Sequence, residues 1–487
     1  MVSSNPLFRG TWTAKKFQAT VINDIWPEVL FFSLVATMVV LVSENKYNLG
    51  IGNPLLTVLG TVLGLVISFR TSSAYERYQD GRKMWTNIIT GSRNLAQMFW
   101  VHIPVDRTGK GDAAKSTMIQ NIIEKKSMVN LILAFAVSVK HFLRGERGVY
   151  YEDLYPLISF LPRYANGAHG PEGDKLPLWH DDDDENYRPV DTPATELGRE
   201  MSLSRDTTHN GASDPEKALP LPLPRVASDR PLKPARNPPS TSIYDYIPLL
   251  RLFKWIARKV SRRARSRQSG QRPRRKRNQD LVESQIPLEI ILVLSNYTAV
   301  CMSRGLLHPA IATGVTFNLT LLQDTVSNLE RICNTPLPFA YQAHLRMSLW
   351  LYLLFLPFQI YNQAKWITIP GTAFASFLLL GFLEIGQEIE NPFNYDLNDL
   401  DLDYFCTVVQ RELHLITANT TPDPSEFLFT ELNQPFAPVD RRSAKELVES
   451  GTEYVAPHAA DKTEPGIDSI RRTLVKGWKD VDTLTRR

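Results

Sequence analysis

Two short stretches of this 487-residue chain carry residue types and spacings that could do chemistry. The first is GTVLGLVISF, from Gly60 to Phe69. Thr61, Leu65 and Phe69 fall at i, i+4 and i+8, so on a helix they stack along one stripe. Repeated about a rotation axis, such a stripe makes rings of side chains, and a narrow apolar ring can close a water path by dewetting. The stripe's other possible surroundings are lipid or a neighbouring helix. Gly60 and Gly64 supply the G-x-x-x-G spacing through which membrane helices approach closely. The second stretch is NPFNYDLNDLDLD, from Asn391 to Asp403. Hard cations take several oxygens, and Asn391, Asp396, Asn398 and Asp399 offer them. Asp399, Asp401 and Asp403 match the opening of an EF-hand loop, but Tyr404 stands where its turn needs glycine and Gln410 where it needs glutamate. The favoured role is structural, capping a helix and holding the N-terminal segment, with calcium as the alternative.

Other chemistries find no support. The chain has no G-x-S-x-G, H-E-x-x-H, P-loop or G-x-G-x-x-G pattern. Glu384 and Glu388 are spaced i, i+4 without the Glu-x-x-His of a di-metal helix. His141, His308 and His344 are read as packing or interfacial residues. Cys301, Cys333 and Cys406 have no C-x-x-C spacing, which excludes a disulfide framework and a zinc finger. No enzyme activity and no resident cofactor are expected, apart from the calcium alternative.

The elements that must position these residues are membrane helices. The mean hydropathy of −0.20 suggests a soluble protein. The apolar residues are clustered, however. Uncharged runs cover Val29 to Ser43 (with Ile25 and Trp26 added), Tyr47 to Phe69, Met347 to Ala364 and Trp366 to Leu383. A helix needs about 20 residues to cross a bilayer, so these read as four spans in two hairpins, the second turning at Lys365. Arg9, Lys15 and Lys16 precede the first span, and Arg70, Arg77, Arg82, Lys83 and Arg93 follow the second. That bias places both termini on the cytosolic side of a multi-pass protein.

Lys126 to Leu143 and Ile286 to Leu307 are apolar but interrupted by charge, and read as amphipathic cytosolic helices. Asn166 to Ser284 holds LPLPLPR, an acidic run at Asp181 to Glu185 and a basic run at Arg251 to Arg277, and is expected to be mostly disordered. The basic run suits a solvated linker, with anionic lipid and then nucleic acid as its functional alternatives, and no nucleic-acid partner is expected of the protein. The tail after Thr421 reads as loosely ordered, with short helical pieces such as Ser443 to Glu449.

SFRTSSAYERYQDGRKMW (Ser68 to Trp85) resembles the signature of the bestrophin family of membrane channels, in its bacterial, fungal and plant branch. Its motif and interface residues here are Arg70, Tyr75, Arg77, Gly81, Arg82 and Trp85. Three further segments, Ile122 to Glu146, Leu329 to Phe358 and Leu380 to Cys406, resemble that family in the same order. The resemblance implies a homopentamer around a central pore, with a neck of three bulky residues ending eight before an arginine. Phe69 is eight before Arg77, which puts Thr61, Leu65 and Phe69 in that register. Thr61 departs from the aliphatic residue usual there, and its hydroxyl would wet the outer end of the neck. A second, cytosolic constriction is expected on the helix from Ala310 to Cys333. Animal members form a calcium clasp from consecutive acidic residues after Asn-Pro-Phe, a run that Tyr395 and Leu397 interrupt here.

The resulting expectation is an all-α membrane protein. It has an N-terminal segment (1–24), spans 1–2 (25–69), a cytosolic helical region (70–165) and the insert (166–284). Cytosolic helices (285–340), spans 3–4 (341–385), the acidic segment (386–420) and the tail (421–487) follow. The function expected is a pentameric channel for chloride and other small monovalent anions, in contact with membrane lipids. The alternatives are a monovalent cation channel of the same fold and a non-conducting membrane scaffold.

Overall fold

The two expected hairpins are helical in a computed structural model of the chain, which describes residues 19–52, 54–107, 117–146, 148–162, 164, 231–238, 285–419, 423–451, 453–456 and 465–485. The chain divides into two units, Met1–Ile416 and Thr417–Arg487. In the first, α1 is Ile22–Asn45 and α2 is Pro54–His102, a single helix of 49 residues. Then come α3 (Met118–Leu143), α4 (Tyr155–Ile158), α5 (Ile286–Ser303) and α6 (Pro309–Asn334). Finally α7 (Phe339–Ala364) and α8 (Thr368–Glu388) are joined by a 3-10 turn at Lys365–Ile367, and α9 is Leu402–Ala418. Local signals set the starts: Thr117 and Gln120 form a capping box on α3, and His308 caps α6 ahead of Pro309.

Two apolar clusters form. Ile25, Phe32, Leu63, Ile67, Leu349, Leu353, Leu380 and Leu383 join α1, the first half of α2, α7 and α8. Thr368, Thr372 and Ser376 on α8 are fully buried, small side chains of the kind that let membrane helices pack closely. Leu34, Met38, Leu351, Phe355 and Phe374 remain exposed, an apolar surface of the kind lipid covers. The second cluster joins the rest of α2 to α3, α5, α6 and α9. Four described stretches are long and apolar enough to cross a membrane: Ile22–Asn45, Val58–His102, Ile286–Ser303 and Phe339–Glu388, the last holding two of the expected spans. Ile286–Ser303 packs against α3 and α6 in the second cluster.

The described residues correct one expectation and add detail to two. First, α3 is not amphipathic: every residue from 131 to 141 is buried, so it is the central helix of the second cluster. Its charges are satisfied internally. Lys125 Nζ donates to the carbonyls of Trp100 (2.7 Å) and Ile103 (2.6 Å), and Lys140 Nζ to Asp153 (2.5 Å) and Asp403 (3.0 Å). Second, most of 166–284 lies outside the described residues, but 231–238 is docked on the bundle through a single bridge at Lys233. Third, the tail holds short helices, α10 (Pro424–Leu428), α11 (Ala444–Glu449), which is the piece expected at Ser443 to Glu449, and the longer α12 (Ile467–Thr485). Buried Asp440 organises this unit, accepting from Arg442 Nη2 (2.6 Å) and the Tyr454 hydroxyl (2.9 Å).

The network beside α3 carries a pH signature. Burial alone would raise the Asp153 carboxyl, but the hydrogen bond from His141 and the charges of His141 and Lys140 outweigh it and hold it below its usual range. Glu146 and Asp403 are held low in the same way, by His141 and Tyr395 and by Arg144 and Lys140. A depressed carboxylate contributes stability above its unfolded pKa and loses it as pH falls through the folded value. Thermal melts should therefore show wild type losing stability below about pH 4, with Asp153→Asn less stable near neutrality and flatter in acid. Equal slopes for the two proteins would contradict this.

Candidate functional site

The candidate site is built on α2. Leu63, Ile67 and Arg70 face the other helices and are buried, whereas Leu65 and Phe69 are 57% and 62% exposed, and Thr61 is exposed with them. The stripe thus turns away from the rest of its own chain. A Cβ at Gly60 would sit 3.0 Å from the Tyr352 hydroxyl, but one at Gly64 would meet nothing within 4 Å. Within one chain the glycine pair is therefore split: Gly60 admits α7, and Gly64 shares the outward face. Further along the same edge Ser72, Glu76, Asp80 and Lys83 are exposed, and Lys83 Nζ lies 3.1 Å from Asp80. On α6, the helix expected to carry a second constriction, Phe317 is 68% exposed.

Below the stripe, the motif residues form a joint with the segment after α8. Arg77 donates to three carbonyls: Glu390 (3.2 Å), Thr335 (2.6 Å) and Ile332. The last two lie at the C-terminal end of α6, where carbonyls lack helical partners and a cation is favoured. Gly81 is required by close approach, since a Cβ there would come within 3.0 Å of the Phe393 ring, itself fully buried. Trp85 is buried against Phe405 (ring centroids 5.7 Å), and the Arg82 guanidinium lies 4.5 Å from the same ring. Arg70 is 3% exposed and 3.9 Å from the buried carboxylate of Glu390. Glu390 also accepts from Leu337 N (2.6 Å) and Gln342 Nε2 (3.0 Å). Tyr75 lines a groove of about 630 Å³ with residues of α1 and α8, reaching Glu388 and Asn398.

The acidic segment folds into local turns. Asn398 Nδ2 donates to the Ala19 carbonyl and to Glu388, both at 2.9 Å. Asp399 accepts from Asp396 N at 2.9 Å, and Asp401 caps α9 by accepting from Tyr404 N at 3.0 Å. Burial, then the nearby Asp396 and Glu388, push the Asp399 carboxyl up to about 7. The Asn391 side-chain oxygen is buried without a hydrogen-bond partner. Among the described residues no three histidine, cysteine or acidic side chains converge as a metal site.

Sequence reasoning listed both ends of the joint as separate motifs and missed that they meet. Gly91, where a Cβ would lie 3.0 Å from Leu322, and Gly314, 3.0 Å from Met98, were also missed. They are ordinary glycines in the sequence, and only the α2–α6 crossing explains them.

A family model described as Bacterial/Fungal Bestrophin protein matches residues 3–172 and 254–415. This chain belongs to the bacterial/fungal bestrophin family. It is an integral membrane bestrophin. It is 27% identical over 407 residues to a voltage-dependent anion channel-forming protein of Nostoc sp., covering 83% of this chain and 91% of that protein. It is 30% identical over 144 residues to voltage-dependent chloride channel 1, chloroplastic, of Arabidopsis thaliana, covering 26% of this chain and 31% of that one. A crystal structure of a bacterial Bestrophin homolog from Klebsiella pneumoniae is similar with a TM-score of 0.49 at 17% identity, over 81% of this chain and 100% of that chain. The family match to this bestrophin leaves out 173–253, the part of the insert that contains the docked segment.

The joint makes two expectations. Gly81→Val should lower the melting temperature sharply, by about 1–3 kcal/mol of stability or more, because Phe393 has no room to retreat. Arg70→Met or Glu390→Leu alone should cost about 3–5 kcal/mol by leaving a buried charge or acceptor unpaired. The double variant should cost clearly less than the sum. Additive losses in a double-mutant cycle would show that Arg70 and Glu390 do not interact.

Proposed function

We propose that this bestrophin is a channel and not an enzyme. In this reading it conducts chloride and other small monovalent anions through a pore made by symmetric copies of α2, five in the arrangement the family resemblance implies. The observation that carries the reading is the outward stripe: Thr61, Leu65 and Phe69 lie on the exposed edge of a helix whose opposite face is buried in its own subunit. In this reading rings of Leu65 and Phe69 about a symmetry axis give a hydrophobic neck that gates by wetting. Anion preference is supported by the names of the cyanobacterial and plant relatives. The exposed apolar residues of α1, α7 and α8 suit contact with lipid, and the basic residues after the second span favour cytosolic termini.

A second reading, passage of monovalent cations, is favoured by one observation. The stripe continues into Glu76 and Asp80, two acidic side chains that would ring the inner mouth. The acidic segment acts as a structural cap in this account, so calcium chelation should leave conduction unchanged; loss of current on chelation would make it a calcium site instead.

The neck is tested in planar bilayers. Leu65→Ala should raise unitary conductance several-fold, and Leu65→Cys should give a current blocked by a charged thiol reagent while wild type is insensitive. Unchanged conductance together with an unmodified Leu65→Cys current would remove α2 from the pore.

A further inference from the structure

The docked piece of the insert, Leu232 to Asn237 (LKPARN), meets a built site. Lys233 pairs with Tyr151 in a parallel bridge, its N–H donating to the Tyr150 carbonyl (2.8 Å) and its carbonyl accepting from Glu152 N (3.0 Å). Two residues on, the Ala235 carbonyl accepts from the buried Lys140 Nζ at 3.2 Å. Asn237 N donates to the Tyr395 hydroxyl at 2.9 Å. The side chains repeat the pattern: Lys233 Nζ lies 5.4 Å from the Tyr151 ring centroid and the Arg236 guanidinium 5.8 Å from that of Tyr395. Leu232 packs on the bundle core.

These contacts come from two places distant in sequence: α3 with the turn after it, and the segment after α8. The ligand itself suits the site. Pro234 offers no N–H, and it biases Lys233 to the extended geometry that the bridge needs. Backbone bonds across a bridge, with flanking side chains in aromatic or apolar seats, are the chemistry of peptide capture at an exposed edge. Cations over tyrosine rings add selectivity for basic residues.

We infer that the face formed by Tyr150 to Asp153, Lys140 and Tyr395 is a peptide-docking site for a Lys-Pro-x-Arg segment, occupied by the chain's own residues 232–237. This piece of the insert, which lies in the 173–253 stretch that the family match leaves out, is thereby clasped through Tyr395 to the segment that carries the α2 joint. Tyr395 is the hinge of this clasp: its hydroxyl also donates to Glu146 (2.5 Å), and Arg144 lies 4.1 Å from its ring centroid. The inference stands apart from ion conduction.

Hydrogen exchange on the full-length protein tests it. In wild type, the amides of Lys233 and Asn237 should exchange at least about tenfold slower than in a free peptide. In Lys233→Glu/Arg236→Glu that protection should vanish, and exchange in 148–155 and 391–400 should quicken while α3 is unchanged. The vacated site should then bind a fluorescent PLKPARNP peptide saturably, and wild type should not. Unprotected Lys233 and Asn237 amides in wild type, or a folded double variant that binds no peptide, would overturn the inference.

Discussion

The structure depends on Arg77 being held by the carbonyls of Glu390, Thr335 and Ile332. One guanidinium ties the middle of α2 to the end of α6 and to the exit of α8. It does so with donors that fit a fork of acceptors, where a lysine would offer a point charge. Because α2 is unbroken from Pro54 to His102, that clamp fixes the rotation of the whole rod. The rod's rotation in turn decides which residues face outward. Leu63 and Ile67 are buried and Leu65 and Phe69 are exposed because the helix is pinned in this phase. Gly81, pressed by Phe393, and Trp85, seated on Phe405, fix the same phase further down.

The lower bundle solves a separate problem. The stretch of α3 from 131 to 141 is buried on every side, and α2, α4, α5 and α6 all pack on this helix. Lys140 and His141 would be costly in such a place. They are held by Asp153, Asp403 and Glu146, which come from the following turn and from α9. Removing any one partner leaves a buried charge, so the network specifies one arrangement of the bundle against its alternatives. The docked segment at 231–238 joins this network through Ala235 and Lys140.

Much of this was legible in the residues, for identifiable reasons. The long uncharged runs and the i, i+4, i+8 spacing of Thr61, Leu65 and Phe69 are written in the sequence, whereas the direction the stripe faces is set by the tertiary burial of Leu63 and Ile67. The amphipathic reading of α3 failed because Lys140 and His141 look solvent-facing until Asp153 and Asp403 are placed beside them, and Asp403 is far away in sequence. The Pro-rich insert hid the segment at Lys233 because its composition describes the average, not six residues with a receptor. Gly81 was noted as motif, but its reason, the Phe393 ring, is a tertiary fact.

The central claim is that the outward stripe of α2 lines a pore for anions. The most direct test is the reversal potential of purified protein in bilayers under a potassium chloride gradient. The account predicts a value close to the chloride equilibrium potential. A value close to the potassium equilibrium potential would assign the pore to cations and the selectivity to Glu76 and Asp80, and no current from correctly folded protein would contradict a pore altogether.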